Sequence, residues 1–263
     1  MADLLVERRG HVTVLTLNRP EKHNAISPSM KQYLREAFAQ FTDDDDQYVA
    51  IVTGAGDKAF CAGADLTDIA TADANGTKDI GVTSLDPYGV GASHKPTIAA
   101  INGLAVGGGL ELCLGCDIRV ADERAWFGAF EVKRGLMAGV AVNLLPRLMP
   151  LGDALNLLFA GDRLPAADAH RLGLVQRVTA TGASLDVAMG IAEMICANSQ
   201  TAVQASKMVA TAWRNVAADV IFERYREVNE QLMRCDDVVE GPRAFAERRE
   251  PKFTNRWPTG DRP

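Results

Sequence analysis

Nowhere does this sequence run to the roughly twenty uninterrupted apolar residues that a membrane-spanning helix needs. Its first ten residues carry Glu7, Arg8 and Arg9 where the apolar stretch of a signal peptide would lie, so a cytoplasmic protein is expected. It also lacks an excess of basic charge. Its 28 Lys and Arg stand against 34 Asp and Glu, a net charge of -6 at pH 7, and the two signs are interspersed. That leaves no electrostatic footprint for nucleic acid or for an anionic membrane surface, and a small-molecule partner is expected instead. Cysteine is sparse, with five in 263 residues, an odd count unlike the dense framework of a secreted mini-domain. Free thiols are expected. Cys113 and Cys116 form a C-x-x-C, but no second pair follows and Leu110, Leu112, Leu114 and Ile118 surround them. A zinc site needs four converging ligands, so the pair reads as small side chains of a buried helix, and no metal site is expected.

What is present is enough for a sizeable core: 47% of the residues are hydrophobic in a chain long enough for one large α/β domain. Val12 to Asn18 reads as a β-branched strand stopped by Arg19-Pro20. Ser27 is a good N-cap before Pro28, and Met30, Tyr33, Leu34, Phe38 and Phe41 recur at helical spacing up to the acidic run Asp43 to Asp46. Tyr48 to Thr53 and Thr97 to Asn102 are continuous apolar runs of strand length, suited to strands buried on both faces. Between them Thr67 to His94 is polar and weakly periodic, long enough to be a lid or binding loop. A glycine-rich turn then leads into a helix over Gly108 to Gly115 and a short strand over Asp117 to Ala121, with a loop reaching Glu131. The remainder reads as helices (Asn143 to Leu148, Gly152 to Ala160, Ala166 to Leu172, Leu185 to Ala197, Thr201 to Glu230) broken by a short strand, Leu174 to Val178. Strands alternating with helices before a helical tail predict a repeated ββα-like core with a C-terminal helical region, without a linker. Arg248, Arg249, Lys252 and Arg256 around Phe253 suggest a basic tail that docks on a neighbouring subunit or a phosphate, or is simply solvated.

Four segments could carry chemistry. Gly54-Ala55-Gly56-Asp57-Lys58-Ala59 resembles a dinucleotide-binding G-x-G-x-x-A, but that motif must open a helix, and Phe60-Cys61-Ala62-Gly63 is a poor first helical turn. In Phe60 to Leu66, small residues around Gly63 let backbone approach a ligand and leave amides free as donors, although tight turns in general look alike. Asn102 to Glu111 joins a buried strand to a helix through Gly107-Gly108-Gly109, which sets unpaired N–H groups and a helix's positive end where negative charge could develop. Glu111, the single charged residue between Lys95 and Asp117, either satisfies a helix N-terminus or acts as a carboxylate catalyst. Glu131 follows Phe127-Gly128-Ala129-Phe130. Burial there would raise its pKa toward that of a proton donor, whereas Lys133 and Arg134 nearby would fit a surface glutamate.

In this order, Asn18-Arg19-Pro20-Glu21-Lys22-His23-Asn24-Ala25, Phe60 to Leu66, Lys95 to Gly103 running into Gly107 to Leu112, Cys116 to Ala121, Arg171 to Val175 and Phe245 to Arg249 closely resemble the crotonase (enoyl-CoA hydratase/isomerase) superfamily across nearly the whole chain. The resemblance implies a ββα-spiral core over residues 1–195 that binds acyl-CoA. It also implies a C-terminal helical trimerisation region over residues 196–263, assembled as a homotrimer or a dimer of trimers. By the same resemblance the amides of Ala64 and Gly108 form an oxyanion hole, and Lys22, His23, Ala25, Ala62, Asp65 and Leu66 line the CoA site, with Lys22 facing a phosphate. Glu111 and Glu131 match the glutamate pair of the hydratases, Glu111 handling water and Glu131 the C2 proton of a trans-2-enoyl thioester. Coenzyme A then arrives as part of the substrate in fatty acid metabolism, and no separate cofactor is implied. Two departures leave sibling reactions open (3,2-enoyl-CoA isomerase, dehydratase, racemase), as well as a non-catalytic acyl-CoA-binding protein. Phe130 stands where proline is common, and Met137-Ala138-Gly139-Val140-Ala141-Val142 replaces a P-G-A-G-G-type turn.

Overall fold

The computed structural model describes residues 2–65, 86–211 and 218–254. Its first sheet has strand order β1-β2-β3-β5-β7-β10, built from β1 (Leu4–Arg9), β2 (Val12–Leu17), β3 (Val49–Gly54), β5 (Thr97–Ile101), β7 (Ile118–Asp122) and β10 (Arg177–Thr179). β1 and β2 form an antiparallel hairpin (Leu4 opposite Leu17), and the remaining neighbours run parallel, with Val12 beside Val49 and Ile98 beside Ile118. The central strands are buried on both faces, which is why they read as unbroken apolar runs. Val12, Val14, Val49, Ile51, Ile98, Ala100 and Val120 face the helix Ser184–Cys196, whose Ala188 and Ala192 allow close approach. The alternate residues Leu15, Leu17, Ala50, Val52, Ala99 and Ile101 face the main core with helix α1 (Pro28–Asp43). α1 begins as expected: Ser27 Oγ accepts from Met30 N at 3.1 Å, Pro28 occupies the first turn, and Met30, Leu34, Phe38 and Phe41 form its buried stripe.

A second sheet has the order β4-β6-β8-β9, from β4 (Ala59–Cys61), β6 (Leu104–Val106), β8 (Trp126–Gly128) and β9 (Leu164–Pro165). The chain repeatedly makes one strand in the first sheet and then one in the second: β3 then β4, β5 then β6, β7 then β8. After β6 comes helix α2 (Gly108–Gly115), and after β8 a 3-10 turn (Glu131–Arg134). This is the ββα spiral that the sequence implied. Because β4, β6 and β8 are parallel neighbours, whatever follows their C-terminal ends is set side by side.

Helices α3 (Ala141–Leu148), α4 (Leu151–Ala160), α5 (Ala166–Arg171), α6 (Ser184–Cys196), α7 (Gln200–Ala210), α8 (Ala218–Leu232) and α9 (Asp237–Ala246) complete the described chain. Three expectations are corrected. The strand read at Leu174 to Val178 is instead Arg177–Thr179, and Leu174 and Val175 are apolar because they are core residues of the preceding turn. The helix read over Thr201 to Glu230 is two helices, α7 and α8, whose connection lies outside the described residues. The loop expected to reach Glu131 contains β8, a three-residue strand too short to show a period. Most of the long loop read at Thr67 to His94 also lies outside the described residues. Among those described, no helix is long and apolar enough to cross a membrane.

Candidate active site

Four short segments converge beyond the C-terminal ends of β4, β6 and β8. The first is the turn after β4. Gly54-Ala55-Gly56 does not open a helix: Asn102 Nδ2 donates to the carbonyls of Gly54 and Gly56, at 2.8 Å each, and the chain enters β4. After β4, Ala62 N donates to His23 O (3.0 Å), Ile26 N to Gly63 O (2.7 Å) and Asp65 N to Ile26 O (3.0 Å). Ala64 therefore bridges Ile26 in parallel fashion, a geometry in which its own N–H points away from that partner. Gly63 has φ 87, and a Cβ there would stand 2.9 Å from Val106 O and 3.0 Å from Gly108 N, so the turn and the start of α2 abut where only glycine fits.

The second segment is the glycine turn into α2. Gly107 (φ 55) donates to Gly128 O at 3.1 Å and accepts from Glu111 N at 3.0 Å, while Gly108 opens the helix, where an N–H has no intrahelical acceptor. A Cβ on Gly109 would lie 2.2 Å from Cys61 O, so α2 is seated directly on the end of β4. Among the described residues neither Ala64 N–H nor Gly108 N–H donates to any acceptor.

The third segment carries Glu111, one turn into α2 and buried. Its Oε1 accepts from Val140 N (2.6 Å) and Ala141 N (3.3 Å) at the start of α3. The carboxylate thus caps a different helix from its own, and the unusual Met137 to Val142 turn supplies the amides that orient it. Burial, then the neighbouring Glu131, push its pKa up to about 7 against the pull of those amides. The fourth segment is the 3-10 turn that begins at Glu131. Glu131 Oε1 would lie 3.5 Å from a Cβ on Gly107, so the carboxyl faces the glycine turn. Its Oε2 is buried without a hydrogen-bond partner among the described residues. The residue as a whole is part-buried, but desolvation of its carboxyl raises its pKa, opposed by its own backbone N–H and by Arg134, which fits the expected proton donor better than a fully solvated surface glutamate. Phe130 packs against Gly128 and tilts onto Trp126, ring centroids 5.9 Å apart.

The segment before these turns holds most of the residues matched to a CoA site. Asp65 is buried and takes Arg19 (3.0 Å) and Lys22 (2.9 Å) on one oxygen, with Lys22 half exposed. His23 and Asn24 lie in left-handed conformations (φ 51 and 55), and Asn24 Nδ2 donates to Ala59 O (2.8 Å) and Ala55 O (3.0 Å). Ala25 is buried and its carbonyl accepts from Arg19, whereas Leu66 lies outside the described residues. The structure thus brings Ala62, Ala64, Gly108, Glu111 and Glu131 to one place, with Lys22, His23, Ala25 and Asp65 along the flank of the Gly63 turn. Sequence reasoning overlooked Asn24, the Val140 and Ala141 amides, and Tyr88. Tyr88 is buried, and a Cβ on Gly108 would meet its hydroxyl at 2.5 Å. It was concealed in a loop with no period.

Cys113 and Cys116 are buried free thiols whose Sγ atoms donate to Leu110 O (3.1 Å) and Leu112 O (3.6 Å). Among the described residues no His, Cys, Asp and Glu side chains gather as a metal-binding group. At the C-terminus, Arg249 is bound by Glu240 (2.6 Å) and Glu247, so one charge of the expected basic tail is already neutralised, and Arg256 lies outside the described residues.

Main-chain donors with no acceptor among the described residues, facing a buried Glu111 and a part-buried Glu131, fit a class of protein able to hold charge on a carbonyl oxygen while protons move nearby. The comparisons make this specific. The profile of the family described as Enoyl-CoA hydratase/isomerase matches residues 7–256. The enoyl-CoA hydratase EchA19 of Mycobacterium tuberculosis is 39% identical over 260 residues, covering 97% of each chain. The (E)-benzylidenesuccinyl-CoA hydratase of Thauera aromatica is 38% identical, covering 94% of this chain and 97% of that one. The crystal structure of carnitinyl-CoA hydratase from Mycobacterium avium superposes with a TM-score of 0.87 at 38% identity, over 97% of this chain and 99% of that one. The chain belongs to the enoyl-CoA hydratase/isomerase family.

Proposed function

We propose that this protein is an enoyl-CoA hydratase that adds water across the C2–C3 double bond of a trans-2-enoyl-CoA. The observation that carries the reading is the pair of amides, Ala64 and Gly108, that meet no acceptor among the described residues, beside the buried Glu111 and the part-buried Glu131, both of raised pKa. The thioester oxygen accepts from both amides. Glu111, ionised above its pKa of about 7, removes a proton from water as it attacks C3, and Glu131 supplies the proton at C2. The enolate formed between these events would be too unstable in water; each donor that holds it contributes roughly 3 kcal/mol, and a positioned carboxyl adds about 10²- to 10⁴-fold. Coenzyme A enters as part of the substrate, held along Lys22, His23, Ala25, Ala62, Asp65 and Leu66, and the reaction uses no separate cofactor.

The test is loss of enoyl absorbance on incubation with crotonyl-CoA, with solvent oxygen appearing in the product. Glu111→Gln and Glu131→Gln each lower kcat by about 10²- to 10⁴-fold. Parental turnover in both would remove these roles. A product without solvent oxygen would make the protein an isomerase, and tight binding of the ester without turnover would make it a non-catalytic acyl-CoA binder. Dehydration is the same chemistry run backwards. A relative named carnitinyl-CoA dehydratase, from Salmonella arizonae, is 35% identical, so 3-hydroxyacyl thioesters belong in the same assay.

The assembly that fits this reading is a homotrimer or a dimer of trimers joined through residues 196–263, with residues 1–195 as the acyl-CoA-binding core. Its support is the large apolar side chains left exposed on one chain, Met208 and Val209 of α7 among them. The free cysteines suit a cytoplasmic location.

A further inference from the structure

We propose that the Tyr88 hydroxyl is a third donor to the thioester oxygen, acting beside the amides of Ala64 and Gly108. The inference rests on the hydratase reading above and extends it by one catalytic residue.

The position of a hypothetical Cβ on Gly108 serves as a marker within the site. It lies 2.5 Å from Tyr88 Oη and 3.5 Å from Ala64 N, and Gly108 N is bonded to the same Cα. The phenol and the two amides therefore border one small space, and an oxygen accepting from both amides comes within reach of the hydroxyl. Among the described residues Tyr88 Oη makes no hydrogen bond, although the side chain is only 7% exposed. The hydroxyl therefore keeps an unused donor within an enclosed space, available to an acceptor supplied by the substrate. Burial, then Glu111, Cys61 and Glu131, raise the Tyr88 pKa well above 10, so the group stays protonated and acts as a donor throughout the working pH range. The ring is held in place by sequence: Gly89 (φ 79) turns the chain beside Arg35 and Phe38 of α1, and Val90 is buried against Gly115 at the end of α2. The fold thus presents the hydroxyl from one side of the space and α2 from the other.

The experiment compares Tyr88→Phe with the parental enzyme, using crotonyl-CoA for turnover and a para-dialkylamino cinnamoyl-CoA thioester as a chromophoric probe of carbonyl polarisation. Removing one donor from such a site lowers rates by about 10²- to 10³-fold where two donors act, and with two amides remaining a loss of about 10- to 100-fold in kcat is expected. The bound probe's red shift should shrink, while its Kd changes by less than about threefold and the melting temperature holds within about 2 °C. A packing role would move the melting temperature and Kd but not the red shift. Unchanged kcat and red shift overturn the proposal, as does loss of folding or of probe binding in Tyr88→Phe, which would assign the ring to packing. If the parental enzyme neither hydrates crotonyl-CoA nor shifts the probe, the hydratase reading falls, and the Tyr88 role falls with it. The two failures are thereby distinguishable.

Discussion

Glu111 is open to two interpretations at the level of sequence, helix cap or catalyst, and the fold makes it a cap without removing it from the proposed site. One oxygen takes the Val140 and Ala141 amides, which leaves the carboxyl held rigidly in a buried place that disfavours its charge. The consequence is measurable in stability. The folded pKa of about 7 lies above the ordinary 4.5, so the native state binds the extra proton between those values, and stability falls as pH rises from about 4.5 through 7. At one pKa unit per 1.36 kcal/mol, the loss amounts to about 3 kcal/mol. Glutamine keeps the acceptor oxygen but cannot ionise. Glu111→Gln is therefore expected to match the parental protein at pH 4.5 and to exceed it by up to about 3 kcal/mol at pH 8, in denaturant titrations at both values. Equal differences at the two pH values would mean that the charge is not buried as described. The same variant is expected to lose activity under the proposed role, a trade of stability for function at one residue.

Elements converge on the site through close backbone contacts that tolerate no side chain. α9 packs directly behind the Glu131 turn: a Cβ on Gly241 would stand 2.1 Å from Arg134 O, and one on Gly135 2.4 Å from Asp237 O. Phe245 on the same helix stacks on the Arg134 guanidinium, 4.9 Å from ring centroid to Cζ. Gly241→Ala should push α9 off this turn, at a cost of roughly 1–3 kcal/mol for overpacking, and lower kcat at least about tenfold by displacing Glu131. Circular dichroism melts and crotonyl-CoA turnover check both effects; parental kcat would show that α9 does not position the acid. None of this could be read from the sequence. Gly241 and Pro242 interrupt the helical pattern of α9, and the partner turn lies more than a hundred residues earlier. Helix α1 and strands β2, β3 and β5 could be read, because each carries its own local signal of N-cap, stripe or apolar run.

At the scale of the whole molecule, α7 is tied to the sheet by a largely buried ion pair. Lys207 on α7 pairs with Asp117 at 2.7 Å and donates to Lys95 O at 2.7 Å, just before the N-terminal ends of β5 and β7. The two following residues of α7, Met208 and Val209, are 56% and 79% exposed. Large apolar side chains next to each other at such exposure are costly in a lone chain but ordinary at a subunit contact. If the proposed multiple of three chains forms through this face, Val209→Glu is expected to lower the molar mass found by light scattering to a smaller species, with β-sheet content retained. A mass unchanged at micromolar concentration would place the contact elsewhere.

The sequence by itself determined the spiral's central strands, the first helix, the free thiols and the two glycine turns, because those features depend on local periodicity and on the special backbone freedom of glycine. It also offered both glutamates, yet left each between a structural and a chemical role. Only the tertiary structure decided that Glu111 caps a helix other than its own, that a part-buried Glu131 faces Gly107, and that Tyr88 reaches Gly108 from the far side. The physical reason is that burial, and the pKa it sets, belong to neighbours brought together by parallel strands distant in the chain. No window along the sequence contains them.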